Sequence, residues 1–352
     1  MSKKLKIGKV ILSEKTCTLV AEAGVNHNGS VKIAEKLIRE AKKNGADIIK
    51  FQTYKAEKLV VKKSSRFWKW SGEIKKKGTQ YDSYKKLDVF NKREYSQLIR
   101  LCKKYKIEFM STPFDEDAVD MLYDLGVNGY KVASCDINNY PLLKKIAKKK
   151  LPILLSTGAS NITEIKQAVN LIKRSGNNKI CIMHCTLCYP TKPKDSNLSA
   201  IIDLKKIFPK NLIGFSDHTL GVDISSSSVL FGARVIEKHF TINKKLKKSA
   251  DHWLSITPHE LKKLRKNTIN LMDSIGYYKK KVLRCELKTR LLARRSLVAR
   301  NNIQKGEKIT LNNIISKRPG NGIPPNQFKK LIGKIALKDI PTDEKISLKY
   351  LK

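Results

Sequence analysis

Two histidines end two consecutive strand-like runs. His218 closes Leu212-Ile-Gly-Phe-Ser-Asp-His218, and His239 closes Ala233-Arg-Val-Ile-Glu-Lys-His239. A lone strand-end histidine is more often a hydrogen-bonded polar residue than a ligand. Two at equivalent places on successive runs favour a shared site, and a pair of imidazoles can hold a divalent metal. Lys50 sits inside Ile48-Ile-Lys-Phe-Gln52 and Lys131 inside Gly129-Tyr-Lys-Val-Ala-Ser134. Most lysines point to solvent, but an ammonium within an apolar run is costly unless an anion pairs with it. Together with the hydroxyls of Thr112, Ser134, Ser156, Thr157, Thr186 and Ser216 near the ends of other runs, the two lysines suit a phosphate or carboxylate. Glu22 lies between Ala21 and Ala23-Gly24. In that setting it is a structural hydrogen-bond acceptor or an acid or base, because burial moves a carboxyl pKa toward neutrality.

The elements that must gather these groups recur along the chain. Apolar, β-branched runs fall at 18–25, 46–53, 108–113, 129–134, 151–157 and 179–186, and the two histidine runs make eight. Amphipathic helical stretches fall between them, at 30–44, 93–106, 116–125, 140–149, 162–175 and 198–207. Alternating strand and helix implies parallel strands. Eight units in about 250 residues is the size of a (β/α)8 TIM barrel, whose chemistry sits at the C-terminal ends of its strands. The rival, a doubly wound dinucleotide-binding sheet, lacks a Gly-x-Gly-x-x-Gly turn after the first strand. Strand side chains alternate, so Lys50 and Gln52 share a face, as do Ser216 and His218. Lys131 and Ser134 have opposite parity and share the mouth only if their strand ends between them. The connection from Tyr54 to about Val89 is too long for an ordinary βα loop and reads as a lid or interface.

The barrel is expected over residues 1–275 and a linker over 276–289, which opens with Tyr277-Tyr-Lys-Lys-Lys-Val. A small, mostly β module follows over 290–352. The chain of 352 residues carries a net charge of +42, with 20 Lys/Arg against 5 Asp/Glu from residue 276 onward. Such charge attracts anionic ligands, but lysine and arginine are spread throughout and no nucleic-acid module is visible. Phe67, Trp68 and Trp70, interleaved with Arg66 and Lys69, mimic a base-stacking platform; packing or loop roles fit them better. Seven cysteines without a disulfide framework read as reduced thiols. Cys181, Cys185 and Cys188 lack the second half-site that a zinc centre needs. With no signal segment and no membrane-length apolar run, the expected location is the cytoplasm.

The full set of motifs resembles the bacterial-type sialic acid (nonulosonate) synthases, which join a barrel to a C-terminal antifreeze-like module, the SAF domain. The matching stretches include Ala21-Glu-Ala-Gly-Val-Asn-His-Asn-Gly29, Lys50-Phe-Gln-Thr53, Ser111-Thr-Pro-Phe114 and Tyr130-Lys-Val-Ala-Ser134. Further along come Leu155-Ser-Thr-Gly158, His184-Cys-Thr186, Tyr189-Pro-Thr191, Gly214-Phe-Ser-Asp-His-Thr-Leu-Gly221, Ile236-Glu-Lys-His-Phe-Thr241 and Arg318-Pro-Gly-Asn-Gly322.

The resemblance implies condensation of phosphoenolpyruvate with the open-chain aldehyde of an N-acetylated hexosamine. The products are a nine-carbon 2-keto acid and phosphate. It casts His218 and His239 as ligands of a divalent ion, Mn2+ first, with Mg2+ or Co2+ as substitutes. Lys50, Thr112, Lys131, Ser134, Ser156 and Ser216 become the phosphoenolpyruvate cradle, and Glu22 the group that positions or deprotonates water. Tyr189 and Asp251 become sugar contacts. Arg318 becomes a residue that the small module of a domain-swapped homodimer reaches into its partner's site to meet the N-acyl group. N-Acetylmannosamine is the leading acceptor. The 6-deoxy di-N-acetyl sugar of a legionaminate synthase comes next, pseudaminate synthesis after it, and a non-catalytic carbohydrate-binding descendant is the reading from another class. The chain differs from many relatives at Leu187, at Asp136, and in Ser249-Ala-Asp-His-Trp253, which puts bulky Trp253 near the acceptor.

Overall fold

In the computed structural model, which describes residues 3–65, 78–276 and 279–352, the chain divides into two compact units, Met1–Gly276 and Tyr277–Lys352. Lys4–Ile7 (β1) and Val10–Ser13 (β2) form an antiparallel hairpin. Its turn contains Gly8 at φ +55°, a left-handed conformation that favours glycine. Eight parallel strands follow: Thr18–Gly24 (β3), Ile48–Thr53 (β4), Glu108–Pro113 (β5), Tyr130–Val132 (β6), Ile153–Ser156 (β7), Ile180–Cys185 (β8), Leu212–Asp217 (β9) and Val235–His239 (β10). They close into a barrel in sequence order, with β10 pairing β3. The expected (β/α)8 architecture is the observed one.

Each strand carries two sets of side chains. Outward residues such as Leu19, Ile49, Phe109, Leu155, Ile182 and Phe215 pack against the helices in one large core. Inward residues change character along the strand. At the N-terminal ends they are apolar: Val20, Ile48, Met110, Leu154, Cys181, Leu212 and Val235 form a second cluster with Ile7 and Leu12 of the hairpin. Two residues further on, or four on β9, the inward positions are Glu22, Lys50, Thr112, Ser156, Ser216 and Glu237, a polar layer above an apolar floor. The hairpin plugs the bottom of the barrel. Nothing local in the lysine-rich N-terminal segment predicts the hairpin, because each strand is four residues long and carries a single alternation.

The helices Val31–Lys43, Lys92–Tyr105, Glu116–Asp124, Tyr140–Lys148, Ile162–Arg174 and Ala200–Ile207 lie close to their expected positions, and Pro258–Ser274 is a further helix after the last strand. Asp223–Phe231 is a helix that the sequence reading missed. Its serines are weak helix formers, but Ser225, Ser226 and Ser228 are buried, and the last two donate to backbone carbonyls. In the long connection after β4, the helices Ala56–Leu59 and Gln80–Lys85 are described. Asp88 ties that connection down by accepting from the Ala56 amide at 2.9 Å and pairing with Lys55 at 2.9 Å. The aromatic stretch with Phe67, Trp68 and Trp70 lies outside the described residues.

The second unit carries Ser296–Ala299 (β11) paired antiparallel with Ile314–Lys317 (β12), and isolated bridges add further β pairing. Its core includes Leu297, Ile303, Ile309, Leu331, Ile340 and Ile346. The stretch read as a linker contains a short helical turn, Arg284–Glu286, and the start of a helix, Leu287–Ala293. All seven cysteines are free thiols. Among the described residues no helix is long and apolar enough to cross a membrane.

Candidate active site

A cavity of about 510 Å3 opens at the C-terminal ends of the barrel strands. Glu22, Lys50, Thr112, Lys131, Ser134, Ser156, Tyr189, Ser216, His218, His239 and Asp251 all line it. Residues spread over more than two hundred positions meet there because the inward polar positions lie one or two pleats above the apolar floor. Lys131 and Ser134 share the mouth because β6 ends at Val132 and a 3-10 turn begins at Ser134. Thr157 and Thr186 do not join them. Their hydroxyls donate to the carbonyls of Met183 and Asp195.

The deepest layer is a charged cluster. Lys50 Nζ pairs closely with Glu22, donates to Thr112 Oγ1 at 2.9 Å and lies 3.9 Å from Glu237 Oε2. Lys131 Nζ lies 3.7 Å from Glu237 Oε1, which also accepts from the Ser216 hydroxyl at 3.0 Å. Gln52 Nε2 donates to Glu22 Oε1 at 3.1 Å. The Ser156 hydroxyl and Glu237 Oε2 are buried without a hydrogen-bond partner, so the cluster has unused polar capacity facing the cavity. Burial raises the Glu22 carboxyl above its ordinary range, against the pull of Lys50. Burial alone would also raise Glu237, but Lys131, Lys50 and the Ser216 hydroxyl outweigh it and hold the carboxyl below the usual range. Lys131 is lowered by burial, with Glu237 opposing.

Glu237 is the residue that the site list drawn from sequence lacked. It joins both lysines and Ser216, and its parity with His239 was the available signal. Ser134 plays a second part, accepting from the Gly158 amide at 2.9 Å.

The imidazoles stand together on the other side of the bowl. The His218 and His239 rings are 5.5 Å apart, and Tyr189 lies over His218 at 4.1 Å. His218 Nδ1 is 2.9 Å from the Thr186 carbonyl. That contact assigns a proton to Nδ1; burial opposes charge on the ring, but the Cys185 thiol beside it and the Thr186 carbonyl hold its pKa above the ordinary value, so a ligand at Nε2 has to displace the second proton. His239 Nδ1 is buried without a hydrogen-bond partner and lies 3.8 Å from Asp251 Oδ2. Burial drives His239 well below its ordinary pKa, with His218 and Lys50 adding to the effect, so the ring is neutral, the form that ligates. Asp251 is pushed up to about 6 by burial. Among the described residues no group of three or more His, Cys, Asp or Glu is gathered to hold an ion. Two imidazoles, one of them an orphaned donor, still fit a divalent cation whose remaining positions are open to small molecules. Cys181, Cys185 and Cys188 do not converge: Cys181 packs into the barrel floor, Cys185 lines the cavity and Cys188 is exposed.

The rim is more apolar. Val25, Leu87, Phe114, Leu187, Trp253 and Leu254 line it, with Tyr84 alongside. Lys86, Lys247 and Lys248 also line the cavity. Of the three sequence departures, Leu187 and Trp253 face the cavity, whereas Asp136 accepts from Asn139 at 3.4 Å and is not part of its lining. Arg318 is an exposed residue of the second unit.

A closed parallel barrel with a polar bowl at the C-terminal ends of its strands is the architecture of a barrel enzyme. The chain belongs to the NeuB family, whose model matches residues 37–280, and it carries a SAF domain matched over residues 294–351. It is 40% identical over 334 residues to the N,N'-diacetyllegionaminic acid synthase of Campylobacter jejuni, covering 94% of this chain and 99% of the relative. It is 39% identical over 325 residues to the Legionella pneumophila protein of the same name, covering 91% and 90%. Among solved structures, the N-acetylneuraminic acid (sialic acid) synthetase of Leptospira borgpetersenii aligns with a TM-score of 0.72 at 34% identity, over 82% of this chain and 95% of that one. The family resemblance read from sequence is borne out, and the chain is a sugar-acid synthase of the transferase type.

Proposed function

We propose that the chain condenses phosphoenolpyruvate with the open-chain aldehyde of an N-acetylated amino sugar, and that its acceptor is a 6-deoxy di-N-acetyl hexose. The observation that carries the condensation is the joint placement of two buried lysines, an orphaned serine hydroxyl and two imidazoles in one cavity. Lys50 and Lys131, with Thr112, Ser134, Ser156 and Ser216, cradle the anionic three-carbon substrate. Glu22, held by Gln52 and raised by burial, positions water and takes its proton. The enol carbon attacks the aldehyde carbon, water adds to the neighbouring carbon, and the carbon–oxygen bond to phosphate then breaks to leave a keto group. His218 and His239 would hold a divalent ion, Mn2+ first, with Asp251 beside them. Bound there, such an ion supplies Lewis acidity toward an aldehyde oxygen.

The acceptor assignment is supported by the two legionaminic acid synthases at about 40% identity. The apolar side chains of the rim agree with it, since a methyl group set against them leaves no hydroxyl unpaired. N-Acetylmannosamine is the second reading, favoured by the likeness to the Leptospira structure. Phosphate release with Mn2+ across a panel of acceptors decides between them. Turnover is expected to be fastest with the 6-deoxy di-N-acetyl sugar. Faster turnover of N-acetylmannosamine would reverse the assignment. No turnover with any hexosamine would remove the condensation and leave a carbohydrate-binding descendant.

Arg318 is proposed to serve the active site of a partner subunit in a domain-swapped homodimer, where its guanidinium meets the N-acyl group of the sugar. Arg318→Ala is then expected to raise the acceptor KM with little change in the phosphoenolpyruvate KM. An unchanged acceptor KM in steady-state kinetics would remove Arg318 from the site.

A further inference from the structure

The two histidines point into the barrel, so their neighbours on β9 and β10 point out of it. Asp217 and Lys238 are those neighbours, and they are paired in register across the two strands. Lys238 Nζ lies 2.7 Å from Asp217 Oδ2 and 3.3 Å from Thr219 Oγ1, and it also donates to the Thr219 carbonyl. Asp217 accepts the Thr219 amide at 2.8 Å, the Thr219 hydroxyl at 2.9 Å and the Ser225 hydroxyl at the start of the helix Asp223–Phe231. The side chains of Lys238 and Asp217 are 2% and 0% exposed. Thr219 in turn bridges to Thr191, whose amide donates to the His218 carbonyl at 3.0 Å.

A buried ion pair rarely adds net stability over an apolar pair of the same size. What this one does is join four pieces of backbone: the end of β9, the turn after it, the first turn of the next helix and the end of β10. His218 and His239 ride on two of those pieces, one residue away from the pair. Neither Asp217 nor Lys238 lines the cavity. They therefore act on the site only through the backbone that carries the imidazoles.

We propose that Asp217 and Lys238 are positioning residues that set the separation and aim of His218 and His239 from the outer face of the barrel. The chemical purpose rests on the metal-ligand reading given above; the geometric content does not. The double variant D217N/K238M is the test. It keeps an acceptor for Thr219, removes both charges at once and leaves no uncompensated ion. Mn2+ binding measured calorimetrically, without substrates, is expected to weaken by roughly 10–100-fold, a larger change than in the phosphoenolpyruvate KM, because of the cradle residues only Ser216 lies on β9 or β10. Lys238→Arg should restore much of the affinity when Asp217 is intact. If the double variant does not fold, Thr219→Val removes one hydroxyl from the same cluster and should weaken Mn2+ binding in the same direction by less. Mn2+ affinity within a factor of about two of the parent in a folded double variant would overturn the proposal. A parent that binds no Mn2+ would overturn the metal reading instead. Positioning is then read from the imidazole separation in a crystal structure of the double variant: 5.5 Å retained overturns it, and a displaced pair supports it.

Discussion

Lys50→Met is expected to abolish measurable condensation and to lower folding stability by about 3–5 kcal/mol, the usual cost of stranding a buried charge. Lys50 is the principal cation next to Glu22 and also serves Thr112 and Glu237. Both partners of the Lys50–Glu22 pair are buried, with 4% and 2% of their side chains exposed. Without the ammonium, the Gln52 amide is the hydrogen-bond partner left to Glu22 among the described residues, and the anion cradle loses one of its two lysine charges. Urea denaturation and the phosphoenolpyruvate KM report the two effects separately. The double variant Lys50→Met with Glu22→Gln should recover most of the stability, since no lone carboxylate remains, but none of the activity. A single variant with parental stability and parental phosphoenolpyruvate KM would show that Lys50 is neither a buried partner nor a cradle residue.

His239→Ala is expected to cost activity without the loss of stability. Its Nδ1 has no hydrogen-bond partner and its nearest carboxylate, on Asp251, is 3.8 Å away. Truncation therefore orphans no buried group, and the melting temperature should stay close to the parent's. Loss of a ligand to an ion that polarises a carbonyl removes several kcal/mol of transition-state stabilisation, or about a thousandfold or more in kcat. Single-turnover and steady-state assays over a range of Mn2+ concentrations measure it. Rates within tenfold of the parent at saturating metal would mean that His239 is not a ligand.

Much of this site was legible because strand parity and residue type carry the same information. Lys50, Thr112, Ser156 and Ser216 each follow an apolar inward residue by two or more positions on the same strand, and the alternation alone places them above the barrel floor. Glu237 obeyed the same rule yet was not assigned, because a carboxylate between a valine–isoleucine pair and a lysine gives no hint of which cation it serves. That depends on Lys50 and Lys131, which lie on strands remote in sequence. The hairpin of β1 and β2 was invisible for a related reason. Ile7 and Leu12 are ordinary apolar residues in a lysine-rich segment, and only a closed ring of strands supplies the hole they fill. The serine-rich helix after β9 runs against local propensity and is held by tertiary partners, Asp217 among them. The Asp217–Lys238 contact, too, exists only once two strands are aligned in register.

The hydrophobic stopper at the foot of the barrel has a kinetic corollary. Among the described residues the base is sealed, so the mouth at the strand C-termini is the side from which reactants reach the lysines. Whatever the lysines hold lies below whatever the rim holds. On the condensation reading, the small phosphoester is then expected to be seated before the bulkier sugar, an order that initial-rate kinetics would show.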